Sequence, residues 1–269
     1  MDETPDLRDE IFGGIAENEI TAAVIAGGDG IISGTAAAEE EAGELGLTLH
    51  KVLEEGGEVK EGDEIARFTG TPKQVVAGGE AIISLMAKPS GIATAARACV
   101  KAAGKKISIV SSAWSKMPPG DREAIHKAVV TGGADYRFTA DPFVYLDKNS
   151  IEMLGGIRQS IEAVSKLAEE RTIVVQLEGR HTSIIKEALE AVESGAGILF
   201  VDTGVQLDVM EVAFELERAG LRKKVKIVFG GNISQKDLRK LKGQDINIVD
   251  VGREIADAPL LDMRIEVIS

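Results

Sequence analysis

The chain has 269 residues, enough for one large domain or for two smaller ones with separate cores. Hydrophobic residues make up 44% and charged residues 28%, a globular mixture rather than a disordered one. A formal net charge of −13 argues against a general binder of nucleic acid or anionic membranes, while leaving room for a pocket in which a few cations meet a small anion.

The N-terminus, MDETPDLRDE, has neither a basic n-region nor an apolar h-region, and no apolar run approaches the roughly 20 residues of a membrane span, so a cytoplasmic location is expected. Thr21–Ala26 and Gly30–Gly34 read as a strand pair around the turn Gly27-Gly28-Asp29-Gly30. Ala36–Gly46 reads as a short acidic helix ended by glycine. Thr48–Leu53 and Asp63–Thr69 flank a turn-rich stretch and read as strands. Pro72–Gly104 carries apolar residues at helical spacing, with an interruption expected at Lys88-Pro89-Ser90-Gly91. Cys99, the single cysteine, lies in the apolar run Ile92–Val100 and is expected to be a buried small hydrophobe.

From Lys105 the pattern changes to short apolar strands alternating with amphipathic helices. The strands expected are Ile107–Ser111, Tyr136–Phe138, Phe143–Leu146, Ile173–Leu177, Ile198–Val201, Val225–Phe229 and Ile246–Val251. Helical spacing marks Arg122–Val130, Ile157–Glu170, Ser183–Glu193, Leu207–Ala219 and Gln235–Lys242. β-Branched runs divided by helices imply parallel strands covered on both faces. The expected fold is therefore α/β: an N-terminal α/β sandwich over 1–104, completed by a returning strand in 262–269, and an incomplete parallel α/β barrel over 105–261. About six or seven strands would form that barrel, short of the usual eight or so.

Ligands of parallel α/β domains lie at the C-terminal strand ends. Those ends here carry Lys116, Asp147-Lys148, Glu178-Gly179-Arg180-His181, Asp202-Thr203-Gly204, Gly230-Gly231-Asn232 and Gly252-Arg253. Turn glycines and helix-capping acids would account for Asp202 or Ser234 singly, but poorly for the whole set. Gly230-Gly231 and Gly252 follow consecutive late strands, where backbone N–H groups and a helix N-terminus suit a phosphate. Arg253 could add a charge-assisted hydrogen bond to the same group.

Motifs in order along nearly the whole chain resemble the quinolinate phosphoribosyltransferase (nicotinate-nucleotide pyrophosphorylase) family. Ser90-Gly91-Ile92-Ala93-Thr94 resembles its SGIAT segment, and Lys116 to Arg122 its RKTTPGLR segment. Gly132-Gly133 with Tyr136-Arg137 resembles GGG…HR, and Asp147-Lys148-Asn149 resembles KDNH. Phe229-Gly230-Gly231 matches SGG, and Val251 to Asp262 matches VGA…APALD.

The resemblance implies transfer of a 5-phosphoribosyl group from phosphoribosyl pyrophosphate (PRPP) to a small planar nitrogen heterocycle, with Mg²⁺, in a homodimer or larger homo-oligomer. Pro72–Gly104 is the expected apolar contact surface of that oligomer. The resemblance assigns Gly230, Gly231, Asn232, Gly252 and Arg253 to the 5′-phosphate. It assigns Glu178 and Asp202 to the metal and ribose, and Lys116, Arg137 and Lys148 to pyrophosphate or the acceptor. The phosphate end is better preserved than the acceptor end. Ala81, Ser115, Tyr136 and Asp147 stand where cationic or potentially cationic residues are expected, Gln176 where an acid is expected, and Ala256 where a histidine is expected. Three readings follow: an altered acceptor pocket, the ordinary reaction giving nicotinate mononucleotide, and a non-catalytic sugar-phosphate binder.

Overall fold

The computed structural model describes residues 6–167, 170–180 and 182–268, so His181 lies outside the described residues. In chain order the first elements are α1 (Leu7–Ile11), β1 (Ile20–Ala26), β2 (Gly30–Ile31), α2 (Thr35–Glu44), β3 (Thr48–Val52), β4 (Glu58–Val59), β5 (Glu64–Gly70) and α3 (Pro72–Ala103). There follow β6 (Ser108–Val110), α4 (Arg122–Thr131), β7 (Phe143–Leu146), α5 (Lys148–Leu154), α6 (Ile157–Ala163), β8 (Thr172–Leu177) and α7 (Ile184–Ser194). The last are β9 (Ile198–Val201), α8 (Gln206–Arg218), β10 (Lys226–Phe229), α9 (Gln235–Leu238), β11 (Ile248–Asp250), α10 (Gly252–Ala256) and β12 (Met263–Val267). Contacts divide the chain into two compact units. One comprises the residues up to Arg97, Pro118–Gly133 and the segment from Asp257; the other comprises Ala98–Met117 and Ala134–Ala256.

The first unit holds a four-stranded antiparallel sheet in the order β12-β1-β5-β3, so the C-terminal strand does return beside the first one. The expected hairpin of Thr21–Ala26 with Gly30–Gly34 does not form. β1 pairs β12 and β5, whereas β2 pairs β4 in a separate ladder. The run Ala22–Ala26 is buried without alternation, which marks a strand covered on both faces and filled on both edges, leaving no edge for β2.

Helix α3 runs unbroken through Pro89, against the expected interruption. Proline removes only the bond to the Leu85 carbonyl, and the buried residues Met86, Ile92 and Ala93 on either side hold the helix in place. Gly34 packs directly on that carbonyl, where a side chain would collide with it. The SGIAT-like segment works in this packing. Ser90 Oγ accepts from Ser33 N at 2.9 Å, Thr94 Oγ1 accepts from Ile31 N at 2.8 Å, and a side chain at Gly91 would overlap the Pro259 carbonyl. Along α3, Val75, Ile82, Met86 and Ile92 are buried, while Val76, Ile83 and Leu85 are half-buried. Large apolar residues are also exposed at Leu7 and Ile11 of α1 and at Leu207, Met210 and Phe214 of α8.

The second unit holds six parallel strands in the order β6-β11-β10-β9-β8-β7. The expected strand Tyr136–Phe138 is missing; one bridge, Val110 to Asp135, stands in its place on the outer edge of β6. The chain then turns inward, because Phe138 is buried against Phe200 with ring centroids 5.0 Å apart. Val110, Val174, Ile198, Val228 and Ile248 complete that core. Two helices are shorter than their spacing suggests: α6 ends at Ala163 and α9 at Leu238. Cys99 is buried, and burial pushes its thiol up to about 12. Among the described residues no helix is long and apolar enough to cross a membrane.

Candidate active site

Side chains alternate between the two faces of a strand, so the core residues fix which positions face inward at the strand ends. Phe200 pairs with Gln176 and with Val228, and Val228 with Ile248. Two residues further on, the same face presents Glu178, Asp202, Gly230 and Asp250. Burial of Gln176 and Asp250 agrees with this, as does the space at Gly230, where an added Cβ would lie 2.6 Å from the Phe200 ring.

Gln176 ties one side of this mouth together. Its Nε2 donates to Asp202 Oδ2 at 2.7 Å and to Glu178 Oε1 at 3.3 Å, while its Oε1 accepts from Lys148 N at 2.9 Å. Lys148 Nζ pairs with Glu178 Oε1 at 3.2 Å, and Arg180 Nε donates to Glu178 Oε2. The position of Lys148 follows from its neighbour: Asp147 is the N-cap of α5 and accepts from Ser150 N at 2.7 Å, and the Ser150 side chain, then its backbone, holds the Asp147 carboxyl below the usual range. Asp202 is no helix cap, since Val205 occupies that place for α8. Burial raises the Asp202 carboxyl above the usual range, and Glu178 adds to the rise. The Gln176 hydrogen bond and the charges of Lys148 and Lys116 oppose it.

Asp250, which the sequence reading did not single out, forms a second carboxylate centre. It accepts from Ser112 N at 2.9 Å and from Ser112 Oγ at 2.6 Å. Burial raises its carboxyl despite those bonds, and the charge of Asp202 adds to the effect. The signal was present in the alternation Ile248-x-Asp250, which puts the acid on the inward face. Tyr145 of β7 faces the same group. Its hydroxyl is held above the ordinary tyrosine range by burial first and then by Asp202, Asp147, Asp250 and Glu178.

The glycines that follow β10 and β11 sit where their neighbours leave little room for a side chain. Gly231 has φ 102°, and a side chain there would overlap Gly204 N. Gly204 N in turn donates to the Gly230 carbonyl at 2.8 Å. Asn232 follows with φ 60°, a left-handed backbone that asparagine tolerates. Ser234 and Asp237 then form a capping box at α9. Gly252 opens α10 beside Ala113, where an added Cβ would come within 3.3 Å. Arg253 follows in that first turn, exposed.

The expected site residues thus separate. Lys148, Glu178 and Asp202 converge, with the charge of Lys116 reaching Asp202 and Asp250. Gly230, Gly231, Asn232, Gly252 and Arg253 line the adjoining strand ends. Arg137 is not brought to them. Its guanidinium lies 5.2 Å from the centre of the Phe143 ring, at the start of β7, and donates to the Asp141 carbonyl at 3.5 Å. It lines a cavity of about 690 Å³ with Lys106, Ser108, Lys226 and Asn247, residues at the N-terminal ends of the strands. A different cavity of about 480 Å³ adjoins Lys148, Gln176, Glu178 and Arg180.

Among the departures, Ser115 is exposed and its Oγ donates to the Ser112 carbonyl at 3.0 Å. Tyr136 packs edge-on against Trp114, whose Nε1 donates to the Tyr136 carbonyl at 2.8 Å. Ala256 is fully buried. Among the described residues no three His, Cys, Asp or Glu side chains group as an all-protein metal cage. The donor set fits a less demanding role. Mg²⁺ keeps several waters and takes one or two carboxylates together with substrate phosphates, and Asp202 and Glu178 supply hard oxygen donors of that kind.

The chain matches the family "Quinolinate phosphoribosyl transferase, C-terminal domain" over residues 92–266 and "Quinolinate phosphoribosyl transferase, N-terminal domain" over residues 6–90. It is 27% identical over 256 residues to a probable nicotinate-nucleotide pyrophosphorylase [carboxylating] of Archaeoglobus fulgidus, covering 94% of this chain and 96% of the relative. A protein of the same description from Methanothermobacter thermautotrophicus is 25% identical over 251 residues, covering 92% of this chain and 88% of the relative. The crystal structure of nicotinate-nucleotide pyrophosphorylase from Ehrlichia chaffeensis has a TM-score of 0.85 at 15% identity, covering 98% of this chain and 93% of that one, and shows the shared fold. With both family domains matched in order and a parallel-strand mouth carrying the motif residues, this chain belongs to the quinolinate phosphoribosyltransferase family and is an enzyme of the phosphoribosyltransferase class.

Proposed function

We propose that this enzyme transfers the 5-phosphoribosyl group of PRPP to a ring nitrogen of a small planar heterocycle, releasing pyrophosphate, and that its acceptor pocket is poorer in cations than quinolinate requires. The observation that carries this reading is the network joining Asp202, Gln176, Glu178 and Lys148 at the C-terminal strand ends. The anomeric carbon–oxygen bond breaks toward pyrophosphate as the acceptor nitrogen bonds to that carbon, and no covalent nucleophile from the protein is needed. The protein holds the reactants in line and stabilises developing charge. Asp202 would face the ribose as it becomes cationic, and Lys116 and Lys148 would neutralise the departing pyrophosphate. Gly230, Gly231, Asn232 and Gly252 would approach the 5′-phosphate through their backbone, with Arg253 completing that contact. Mg²⁺, held through Asp202 and Glu178, would supply charge neutralisation of the pyrophosphate oxygens when bound.

Asp147 is spent as a helix cap and Tyr136 packs on Trp114. The two cations nearest to replacing the lost ones, Lys148 and Arg180, both pair with Glu178. Each charged partner lost to a carboxylate costs about 2–5 kcal/mol, so quinolinate should bind tens to thousands of fold more weakly, by order of magnitude, than a matched acceptor. The ordinary quinolinate reaction is the second reading, favoured by the names of the relatives. Assembly as a homodimer or larger homo-oligomer is part of the proposal, and the exposed residues of α1 and α8 are candidates for cover.

Steady-state turnover with PRPP, Mg²⁺ and quinolinate tests the proposal. A kcat/KM of about 10⁴ M⁻¹s⁻¹ or more, within the ordinary enzyme range, would establish the second reading and remove the altered pocket. Consumption of PRPP with another heterocycle, and little with quinolinate, is the outcome expected. No PRPP turnover with any heterocycle would favour a non-catalytic sugar-phosphate binder.

A further inference from the structure

We infer that the cavity at the N-terminal ends of β6, β10 and β11 is a second anion site, built for a phosphate group carried on a small molecule up to the size of a nucleotide. It lies at the opposite ends of the strands from the carboxylates and glycines described above, and it does not depend on the proposed reaction. Its volume is about 690 Å³, within the range of pockets that enclose a small ligand. Lys106, Arg137 and Lys226 line it, together with Asp135 and Asp141. Three cations against two acids leave a net positive charge there, on a chain whose net charge is −13.

Strand register places the two lysines. Ser108 and Val228 both pair with Ile248, one on either side of β11. Two residues earlier come Lys106, just before β6, and Lys226, the first residue of β10. The pair therefore flanks β11 with backbones about 10 Å apart, two strand spacings, from which long side chains can converge on one anion. Both lysines are exposed and, among the described residues, neither is tied in an ion pair, whereas Lys148 and Arg180 at the other mouth are both held by Glu178. The wall beside them is fixed as a donor. Asn247 Oδ1 accepts from Ile227 N at 2.8 Å and from Arg222 Nη2 at 2.9 Å. Both partners can only donate, so the amide has one orientation and the group left over is its NH₂. Arg222 is itself locked: it is buried, its Nε and Nη2 donate to the Asp245 carboxylate at 2.7 and 2.8 Å, and its Nη1 donates to the Val225 carbonyl at 2.8 Å. Arg137 closes the far side. Its guanidinium lies over Phe143 and reaches the Asp141 carbonyl only at 3.5 Å, which leaves most of its five donors for a ligand. Mobile cations beside a fixed neutral donor suit a phosphate, which accepts several charge-assisted hydrogen bonds at once. A bare phosphate would leave most of the volume empty, and Tyr136, Phe138, Val110 and Ile248 supply wall for the body that carries it.

The test is calorimetric titration of adenosine 5′-monophosphate into the full chain, with adenosine as the uncharged control, for the wild type, the double variant Lys106→Ala/Lys226→Ala, and Arg253→Ala. The wild type is expected to bind the monophosphate with a Kd below about 1 mM, and adenosine at least about tenfold more weakly, because charged hydrogen bonds carry the affinity. The double variant removes two exposed side chains, a change that folded proteins tolerate. It should lose at least about tenfold in affinity for the monophosphate while KM for PRPP stays within about twofold, since the lysines stand at the other ends of the strands. Arg253→Ala is expected to keep the site. Adenosine binding as tightly as its monophosphate would overturn the inference, as would an unchanged affinity in the double variant. Loss of binding in Arg253→Ala alone would place the probe at the C-terminal mouth and overturn it too. So would a rise in KM for PRPP that matches the loss of probe affinity in the double variant, or no binding by the wild type up to about 10 mM, a concentration at which even a weak ionic site would fill. The phosphoribosyltransferase reading stands under each of these outcomes, because turnover of PRPP is measured separately.

Discussion

The two sides of the mouth are built from different materials. On the β8 and β9 side, long polar side chains meet one another: Gln176, Glu178, Asp202, Lys148 and Arg180 form a connected network. On the β10 and β11 side, glycine backbones pack closely: Gly231 against Gly204, whose N–H also bonds the Gly230 carbonyl, and Gly252 against Ala113. A network of side chains can exchange partners when a ligand arrives. Backbone packed on backbone cannot, and it presents a fixed set of N–H groups. The first side suits a charge that changes during reaction, and the second suits a phosphate that does not.

The largest effect that would test this contrast is structural. Gly231→Ala must place a Cβ against Gly204 N and hold alanine at φ 102°. A loss of about 3 kcal/mol in unfolding free energy is expected from strain and overlap together, measured by denaturant titration. A loss under about 1 kcal/mol would mean that the loops part readily and that the rigid side of the comparison is wrong.

Arg253→Ala comes next. Capping a phosphate at the start of α10 should make it worth about 2 kcal/mol of PRPP or ribose-phosphate affinity, read by calorimetry. Unchanged PRPP binding would remove Arg253 from the phosphate site. The smallest effect is expected at Arg137, which stacks on Phe143. Arg137→Ala should cost about 1 kcal/mol or less of stability, the scale of one partly exposed cation–π contact, and leave KM for PRPP within about twofold. A tenfold or greater rise in KM would show that Arg137 swings to the C-terminal mouth in the working enzyme, and would add a mobile cation to it.

The parallel strands of the second unit are legible in local pattern, because β-branched runs such as Ile198–Val201 can be buried on both faces only when helices cover them. The pattern also located the strand ends and most residues that gather there, since a strand end is where an apolar run gives way to Glu178, Asp202 or Gly230. Local pattern is enough for such features. The partners of each element come from the folded chain. Nothing near β1 announces that its edges belong to β5 and β12 rather than to β2, because strand pairing is set by distant segments. Pro89 reads locally as a break, yet packing around Met86 and Ile92 keeps α3 continuous. Asp147 reads as a reversed charge in a basic motif, and becomes a helix cap once α5 begins beside it. Gln176 reads as a missing acid, and only the approach of Lys148, Glu178 and Asp202 from separate strand ends makes it the clip between them, because a hydrogen bond's direction depends on which groups the fold brings within reach.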